Sequence, residues 1–110
     1  MIIDYSKMQA TEIDGFKGGK GPFIMRCHAD ESCKIMKNIL PPGASTGMHK
    51  HEGNCEVIYV LSGRGTFHID GIVEEALPGQ VHYCPNGSSH YMENISDEDL
   101  VFFAVVPELR

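Results

Sequence analysis

Four side chains able to bind a metal ion stand at short intervals in this sequence. His49 and His51 are separated by one residue, so on a β-strand both imidazoles would project to the same face and could reach one ion. Glu56 follows after a short connection, and His90 follows a turn at residues 85–87. Three imidazoles and one carboxylate suit Mn, Fe, Co, Ni or Zn. We therefore predict one divalent transition-metal site formed by these four residues, with positions left for water or substrate if the ion takes six ligands.

The elements that must position these ligands are predicted to be β-strands. Turn residues interrupt the chain at short intervals from Gly21 onward, and the runs between them are rich in Val, Ile, Tyr and Phe. Helical periodicity over a long window is absent. Many short strands with regular turns typically close into a sandwich or barrel. The expected fold class is therefore all-β.

One β-hairpin can be predicted in detail from its turn residues. If Gly63 and Arg64 form a two-residue turn, Tyr59 pairs with His68. Side-chain alternation then places one set of residues together on the barrel-facing side, namely Glu56, Ile58, Val60, Phe67 and Ile69. A lone carboxylate on such an apolar stripe is costly unless it is paired or binds a metal. This makes Glu56 a strong candidate ligand, whereas His68 is expected to face outward.

Size and charge limit the classes of partner. With 110 residues the chain has room for one domain, and we predict a barrel over residues 21–110 preceded by an N-terminal arm or lead-in over residues 1–20. The net charge is −6 and the basic residues are scattered, which argues against nucleic acid or an anionic membrane surface as a partner. The longest apolar runs, residues 57–61 and 100–106, are far shorter than the ~20 residues that span a bilayer.

The spacing of these residues resembles the two motifs of the cupin superfamily. The first motif, G-x5-H-x-H-x4-E-x6-G, is matched by Gly43, His49, His51, Glu56 and Gly63. The second motif, G-x5-P-x-G-x2-H-x3-N, is matched by Gly79, Pro85, Gly87, His90 and Asn94. The resemblance implies a double-stranded β-helix, or jelly-roll barrel, of small single-domain size. It also implies that the four candidate ligands bind a metal.

The metal site does not by itself name a reaction, because one fold can host many functions. We interpret the chain as a metal-dependent enzyme acting on a small carboxylate, diol or enol, of dioxygenase, decarboxylase or isomerase type. The alternative is a binding or sensing protein that uses the metal to hold its ligand. The predicted pocket wall consists of Arg26, Ile58, Val60, Phe67, Ile69, Tyr83, Cys84, Tyr91 and Met92. Only three arginines occur in the chain, so a densely cationic pocket is not expected.

The orientation of His82 is not fixed by any turn in the sequence. It could line the pocket or face outward, and we favour a residue outside the site.

Cysteine usage and strand patterning lead to two further expectations. The four cysteines fall at irregular spacings without a Cys-x-x-Cys pair, and the first residues show no secretory signal, so we expect free thiols and a cytoplasmic location. Val57, Tyr59 and Leu61 are expected on the face away from the metal, where a lone small barrel would expose them. We therefore expect a homodimer, with coverage of that face by residues 1–20 as the alternative. Small cupins commonly dimerise, as the resemblance also implies.

Overall fold

The computed structural model describes residues 1–109, and its architecture is built almost entirely from β-strands. Ten strands follow one another along the chain: Thr11–Asp14 (β1), Pro22–Ala29 (β2), Cys33–Leu40 (β3), His49–Lys50 (β4), Glu56–Ser62 (β5), Gly65–Ile69 (β6), Ile72–Ala76 (β7), Val81–Cys84 (β8), Ser89–Glu93 (β9) and Leu100–Pro107 (β10). Two single-turn 3-10 helices lie at Tyr5–Lys7 and Phe16–Gly18. The all-β fold predicted from the sequence is confirmed.

The strands form two antiparallel sheets that enclose the core. One sheet has six strands in the order β1-β2-β3-β10-β5-β8, and the other has four in the order β4-β9-β6-β7. Strand alternation points one set of large apolar side chains inward, including Leu40, Ile58, Phe67, Leu100 and Phe102, which are fully buried. This is the jelly-roll arrangement, and the metal-binding candidates lie between its two sheets. No helix among residues 1–109 is long and apolar enough to cross a membrane.

The predicted pairing of β5 with β6 is wrong. Strand β5 pairs with β10 and β8, whereas β6 pairs with β7 and β9 in the other sheet. Gly63 has a φ of +79°, and a Cβ at this position would lie 2.2 Å from the carbonyl oxygen of Asp99. The chain therefore turns a tight corner from one sheet to the other at this glycine instead of folding back on itself.

The side-chain facing expected for β5 nevertheless matches the structure. Glu56, Ile58 and Val60 are buried, and Tyr59 and Leu61 are exposed. The facing was predicted correctly although the pairing was wrong. Alternation along β5 depends on which face of the strand meets the core, and not on which strands pair with it.

The segment before the barrel, predicted as an arm or lead-in, contains β1, which pairs with β2 at the edge of the larger sheet. The 3-10 turn at Phe16–Gly18 packs against the chain that leads into β4. The Gly47 amide donates a hydrogen bond to the Phe16 carbonyl oxygen at 3.0 Å. A Cβ on Gly47 would lie 1.8 Å from the carbonyl oxygen of Lys17, so only glycine allows this approach.

An apolar surface covers the outer face of the larger sheet. Tyr59 and Val81 are direct register partners on this face, as are Val57 and Tyr83. Tyr59, Val81 and Tyr83 are exposed, as is Leu61 on the same side of β5. We call these five residues the outer apolar face. Strand β1 of the N-terminal segment lies at the opposite edge of this sheet from β8, and Met1 and Ile2 are almost fully exposed.

Candidate metal centre

Three neighbouring strands bring the four candidate ligands together. His49 begins β4 and is the register partner of His90 on β9, so the two imidazoles face each other across one ladder. His51 follows directly after β4, and Glu56 begins β5 in the other sheet. One ligand atom from each of the four residues lies within 4.8 Å of all the others. The group therefore bridges the two sheets at one end of the barrel.

The distances within the group suit a single ion. The Nε2 atom of His90 lies 3.0 Å from Nε2 of His49 and 3.1 Å from Nε2 of His51. Oε1 of Glu56 lies 3.1 Å from Nε2 of His90 and 3.3 Å from Nε2 of His51. With metal–nitrogen bonds of about 2.1 Å, adjacent ligand atoms are separated by about 3.0 Å in octahedral and about 3.4 Å in tetrahedral geometry. The donor set and its spacing therefore fit a divalent transition metal.

Hydrogen bonds behind the ligands orient the imidazoles. The Nδ1 of His49 donates to the Gly47 carbonyl oxygen at 2.8 Å, and the Nδ1 of His51 donates to Oδ1 of Asn54 at 2.7 Å. A carbonyl oxygen can only accept, so each Nδ1 carries a proton, and each ring in its neutral form directs the lone pair of Nε2 into the site. These bonds set both imidazoles in the tautomer that binds a metal.

Burial and mutual contacts shift the protonation of these residues. Burial alone would raise the pKa of Glu56, but hydrogen bonds from His51 and His90 outweigh it and lower this pKa to about 2. Burial lowers the pKa of His49 to about 4. The hydrogen bond with Glu56 raises the pKa of His51. At neutral pH the site therefore holds an ionised carboxylate and a neutral His49, which are the forms that bind metal.

A cavity of about 490 Å³ opens on the metal-binding candidates. His49, His51 and Glu56 contribute to its wall, whereas His90 does not and is almost completely buried. Three exposed lysines also belong to the wall: Lys17, Lys34 and Lys50. Glu52 lies in the same wall, with its carboxylate 3.1 Å from Nζ of Lys50, so the lysine charge at the cavity is partly offset.

Asn38 is a buried polar residue in the same cavity wall and is 1% exposed. Its Nδ2 has only a long contact of 3.7 Å to the Met36 sulfur, and its Oδ1 has no hydrogen-bond partner among residues 1–109. A buried amide with unsatisfied bonding capacity carries a free-energy cost unless a bound molecule completes it. Asn38 therefore indicates where a polar ligand would be held.

The predicted pocket residues are distributed over several parts of the molecule. Met92 lines the cavity. Ile58, Val60 and Phe67 belong to the core, Cys84 is fully buried, and Ile69 is half-buried beside its register partner His90. All of these residues were predicted to line the pocket because strand alternation identifies the inward face of each strand. It does not indicate how far along the barrel the cavity extends.

The polar members of the predicted pocket lie on the outside of the sheets. Nε of Arg26 donates to the Met8 carbonyl oxygen at 3.0 Å. Tyr91 stacks on His68, with ring centroids 4.1 Å apart, and Tyr83 belongs to the outer apolar face. The cavity wall comes instead from residues that the sequence did not single out, such as Asn38 and Lys17.

His82 is closer to the site than we expected. The interpretation that placed it outside is wrong, because its Nε2 lies 3.0 Å from Nδ1 of His90 and the residue is 1% exposed. The signal that could have revealed it is strand parity: His82 and Cys84 alternate with Val81 and Tyr83, and a polar residue on the inward side must find a partner.

Comparisons with known proteins agree with this architecture. A family model described as "Cupin domain" matches residues 37–106. The oxalate-binding protein of Thermotoga maritima is 35% identical over 112 residues, covering 96% of this chain and 93% of that protein. Oxalate decarboxylase OxdC of Bacillus subtilis is 38% identical over 83 residues, which cover 66% of this chain but 22% of that protein.

A solved structure gives the same picture at the level of the whole chain. The crystal structure of a protein from Thermotoga maritima, described as a predicted oxalate decarboxylase, superposes with a TM-score of 0.93 at 35% sequence identity. The superposition covers 99% of this chain and 100% of the other. The similarity therefore includes the first 20 residues as well as the barrel.

Proposed function

This chain belongs to the cupin domain family, and on that premise we propose that it is a metal-dependent cupin whose ligand is a small dicarboxylate of about the size of oxalate. The ion would be Mn, Fe, Co, Ni or Zn, held by His49, His51, Glu56 and His90. A divalent cation there would supply Lewis acidity toward the oxygens of a carboxylate. The observation that carries the proposal is that three of these ligands open into a cavity whose wall also holds Lys17, Lys34 and an unsatisfied buried amide.

The chemistry of the cavity favours a small dianion over a larger or uncharged ligand. Lys17 and Lys34 place positive charge at the cavity wall, which together with a divalent ion would complement two carboxylates, whereas Lys50 is already paired with Glu52 at 3.1 Å. The names of two relatives mention oxalate, which is the smallest dicarboxylate. The amide nitrogen of Asn38, whose contact to the Met36 sulfur is a long 3.7 Å, can donate to a carboxylate oxygen, and its unsatisfied Oδ1 can accept from a bound water or hydroxyl.

Metal analysis followed by calorimetric titration with oxalate tests this proposal. We expect a stoichiometric transition metal and saturable oxalate binding that disappears after the metal is removed with a chelator. Acetate, which has a single carboxylate, serves as the matched control and should bind much more weakly. A metal-loaded protein that does not bind oxalate would contradict the proposed ligand.

Asn38→Leu tests whether the buried amide contacts the ligand. The substitution keeps the approximate side-chain volume and removes the hydrogen-bonding groups. Because hydrogen bonds to charged groups are worth about 1.5–3 kcal/mol, we expect oxalate affinity to fall about 10- to 100-fold. Metal content should stay at the wild-type value. Unchanged oxalate affinity in a folded, metal-loaded variant would place the ligand elsewhere in the cavity.

Catalytic turnover of the ligand is a second candidate function, of the metal-dependent enzyme type expected from the sequence. It is favoured by the similarity to an oxalate decarboxylase, although the matched region is 22% of that protein. Decarboxylation would consume one proton and convert oxalate into formate and carbon dioxide. Measuring formate, carbon dioxide and oxygen uptake with the metal-loaded protein separates the decarboxylase and dioxygenase types from simple binding.

We also propose that two copies of the chain associate through the outer apolar face. Val57, Tyr59, Leu61, Val81 and Tyr83 form a continuous apolar patch on one side of β5 and β8, and a second copy offers an identical patch. Burying this patch would remove apolar area from water, which stabilises the dimer by about 25 cal/mol for each Å² buried.

Light scattering tests the dimer and should give twice the 12.2 kDa chain mass. Tyr59→Glu should restore the single-chain mass, and a wild-type mass near 12 kDa at micromolar concentration would contradict the dimer.

A cytoplasmic location is proposed on the basis of the thiols. Cys27, Cys33, Cys55 and Cys84 are all free, which suits a reducing compartment. Thiol titration of the unfolded protein without reductant should return four thiols per chain, and a stoichiometric disulfide would contradict this location.

A further inference from the structure

A line of hydrogen bonds connects His90 with the surface of the barrel. Nδ1 of His90 lies 3.0 Å from Nε2 of His82, and Nδ1 of His82 lies 2.8 Å from Oε1 of Glu74. The His82 side chain is inaccessible to solvent, whereas that of Glu74 is 51% exposed. The His82 ring also stacks on Phe67, with centroids 4.1 Å apart and an interplanar angle of 18°. The imidazole is therefore fixed in position as well as hydrogen-bonded at both nitrogens.

Only one arrangement of protons fits this line when His90 binds a metal. Its Nε2 faces the other ligands, so this atom must offer its lone pair and Nδ1 must carry the proton. The proton on Nδ1 then donates to Nε2 of His82, which leaves the proton of His82 on Nδ1. That proton is donated to the Glu74 carboxylate, because an ionised carboxylate accepts hydrogen bonds and cannot donate them.

The third imidazole thus differs from the other two in what lies behind it. His49 and His51 donate to neutral oxygens of residues close by in the chain, Gly47 and Asn54. His90 is the one that reaches an ionisable carboxylate, and it does so through a second imidazole. Glu74 lines a separate surface cavity of about 380 Å³ and does not belong to the wall of the ligand cavity.

We propose that Glu74 and His82 are positioning residues for the metal centre. The surface carboxylate fixes the tautomer of His82, and His82 in turn holds the proton of His90 on Nδ1 so that Nε2 points to the ion. Metal affinity is thereby coupled to a charge outside the ligand cavity. The inference rests on the metal site proposed above.

Glu74→Gln tests the coupling without disturbing the interior, and Glu75→Gln is its matched control. The two residues are neighbours on β7 with similar side-chain exposure, 51% and 49%, but Glu75 contacts Arg64 instead of His82. Zinc affinity is measured by competition with a chromophoric chelator. Loss of a partner behind a metal ligand costs about 10- to 100-fold in affinity, and we expect Glu74→Gln to fall at the lower end of that range. Glu75→Gln should stay within about twofold of wild type. Equal affinities for the two variants would overturn the proposal.

Substitutions of His82 test the imidazole itself. His82→Leu removes the acceptor for the His90 proton and should weaken zinc binding about 10- to 100-fold. His82→Gln offers an amide oxygen in a similar place and should recover most of the affinity. If His82→Leu does not fold, the comparison of Glu74→Gln with Glu75→Gln decides the question.

The positions of the ring protons give a readout that does not depend on metal. In ¹⁵N NMR spectra of the metal-free wild-type protein, Nδ1 of both His90 and His82 should be protonated, because the first donates to Nε2 of His82 and the second to Glu74. In His82→Leu the proton on Nδ1 of His90 should be lost, which leaves the ring proton on Nε2, 3.1 Å from the Glu56 carboxylate. An unprotonated Nδ1 of His90 in the wild type would overturn the proposed line of hydrogen bonds from His90 through His82 to Glu74, even if metal binds tightly. Failure of the wild type to bind any transition metal would instead overturn the proposed function. The spectra would still decide whether this line of hydrogen bonds exists.

Discussion

His51 and His68 show that the same side chain serves different purposes at two sites. The Nε2 of His51 faces Glu56 and His90 inside the barrel, whereas the Nε2 of His68 lies 3.2 Å from Oε1 of Glu93 on a half-exposed surface. Removing one imidazole from the centre leaves three protein ligands, which hold a divalent ion much less tightly.

We therefore expect His51→Ala to lose most of its bound metal after dialysis and His68→Ala to keep it. Elemental analysis of both purified variants measures the metal content per chain. Equal losses would mean that the ion is bound elsewhere than in the proposed centre.

The pKa of Glu56 predicts how acid destabilises the metal-free protein. The folded value, about 2, lies below the ordinary value of 4.5, so the contribution of the ionised form is present above pH 4.5 and is lost as the pH falls toward 2. The pKa of His49 is lowered from 6.5 to about 4, so its neutral form also contributes stability to the fold at higher pH. This contribution is lost as the pH falls from 6.5 to 4. His51 has the opposite sign, because its raised pKa stabilises the fold below pH 6.5 and this contribution fades at higher pH.

Thermal unfolding of the metal-free protein between pH 5 and pH 2.5 measures the contribution of Glu56. The wild-type Tm should fall across this range, and Glu56→Gln should show a flatter dependence because its amide does not titrate. The same slope in both proteins would assign the acid sensitivity to other groups.

At the scale of elements, hydrogen bonds of Gly47 connect the N-terminal segment with His49, one of the candidate ligands. The Gly47 amide donates to Phe16, and the Gly47 carbonyl oxygen accepts from the His49 ring. The segment that was predicted to be an arm or lead-in therefore supports the candidate ligand His49 through one glycine. Displacing it should move His49.

Gly47→Ala tests this support, because its Cβ would collide with the carbonyl oxygen of Lys17. We expect at least a tenfold loss of metal affinity, measured by chelator competition. Gly43→Ala is the control: Gly43 has a φ of +80° but no atom within 4 Å of the added Cβ, so it should cost about 1 kcal/mol of stability without changing affinity. Wild-type affinity in Gly47→Ala would show that the segment yields without moving His49.

The same elements show which features can be predicted from a sequence. The all-β fold and the candidate ligands follow from alternation and fixed spacings, which are local properties. The partner strands of β5 could not be predicted, because a Gly-containing turn suits both a hairpin and a corner between sheets. The wall residues Asn38 and Lys17 lie more than 10 residues before the first candidate ligand, His49, and only the folded sheets bring them to the cavity.

At the scale of the whole molecule, the proposed metal centre joins parts of the chain that are far apart in sequence. His49 and His90 are 41 residues apart, and Glu56 comes from the opposite sheet. An unfolded chain does not hold these groups together, so an ion that binds the native state stabilises the entire fold.

Saturating metal should therefore raise the Tm of the whole barrel in one cooperative transition. At a free metal concentration 100 times the Kd, the gain is about 2.7 kcal/mol, or a Tm increase of about 10 °C for a domain of this size. Differential scanning calorimetry with and without a chelator measures it, and His51→Ala is the control. A shift of the same size in that variant would point to non-specific binding.

The lysines at the cavity also bear on how fast an anion can arrive. The chain carries a net charge of −6, so at low ionic strength the molecule as a whole repels a dianion. At physiological salt the Debye length is about 8 Å, which screens the distant acidic residues but not the last few ångströms near Lys17 and Lys34. The association rate of a dicarboxylate should thus rise when salt is added to a dilute buffer, whereas the oppositely charged partners of electrostatically steered proteins associate more slowly under the same change.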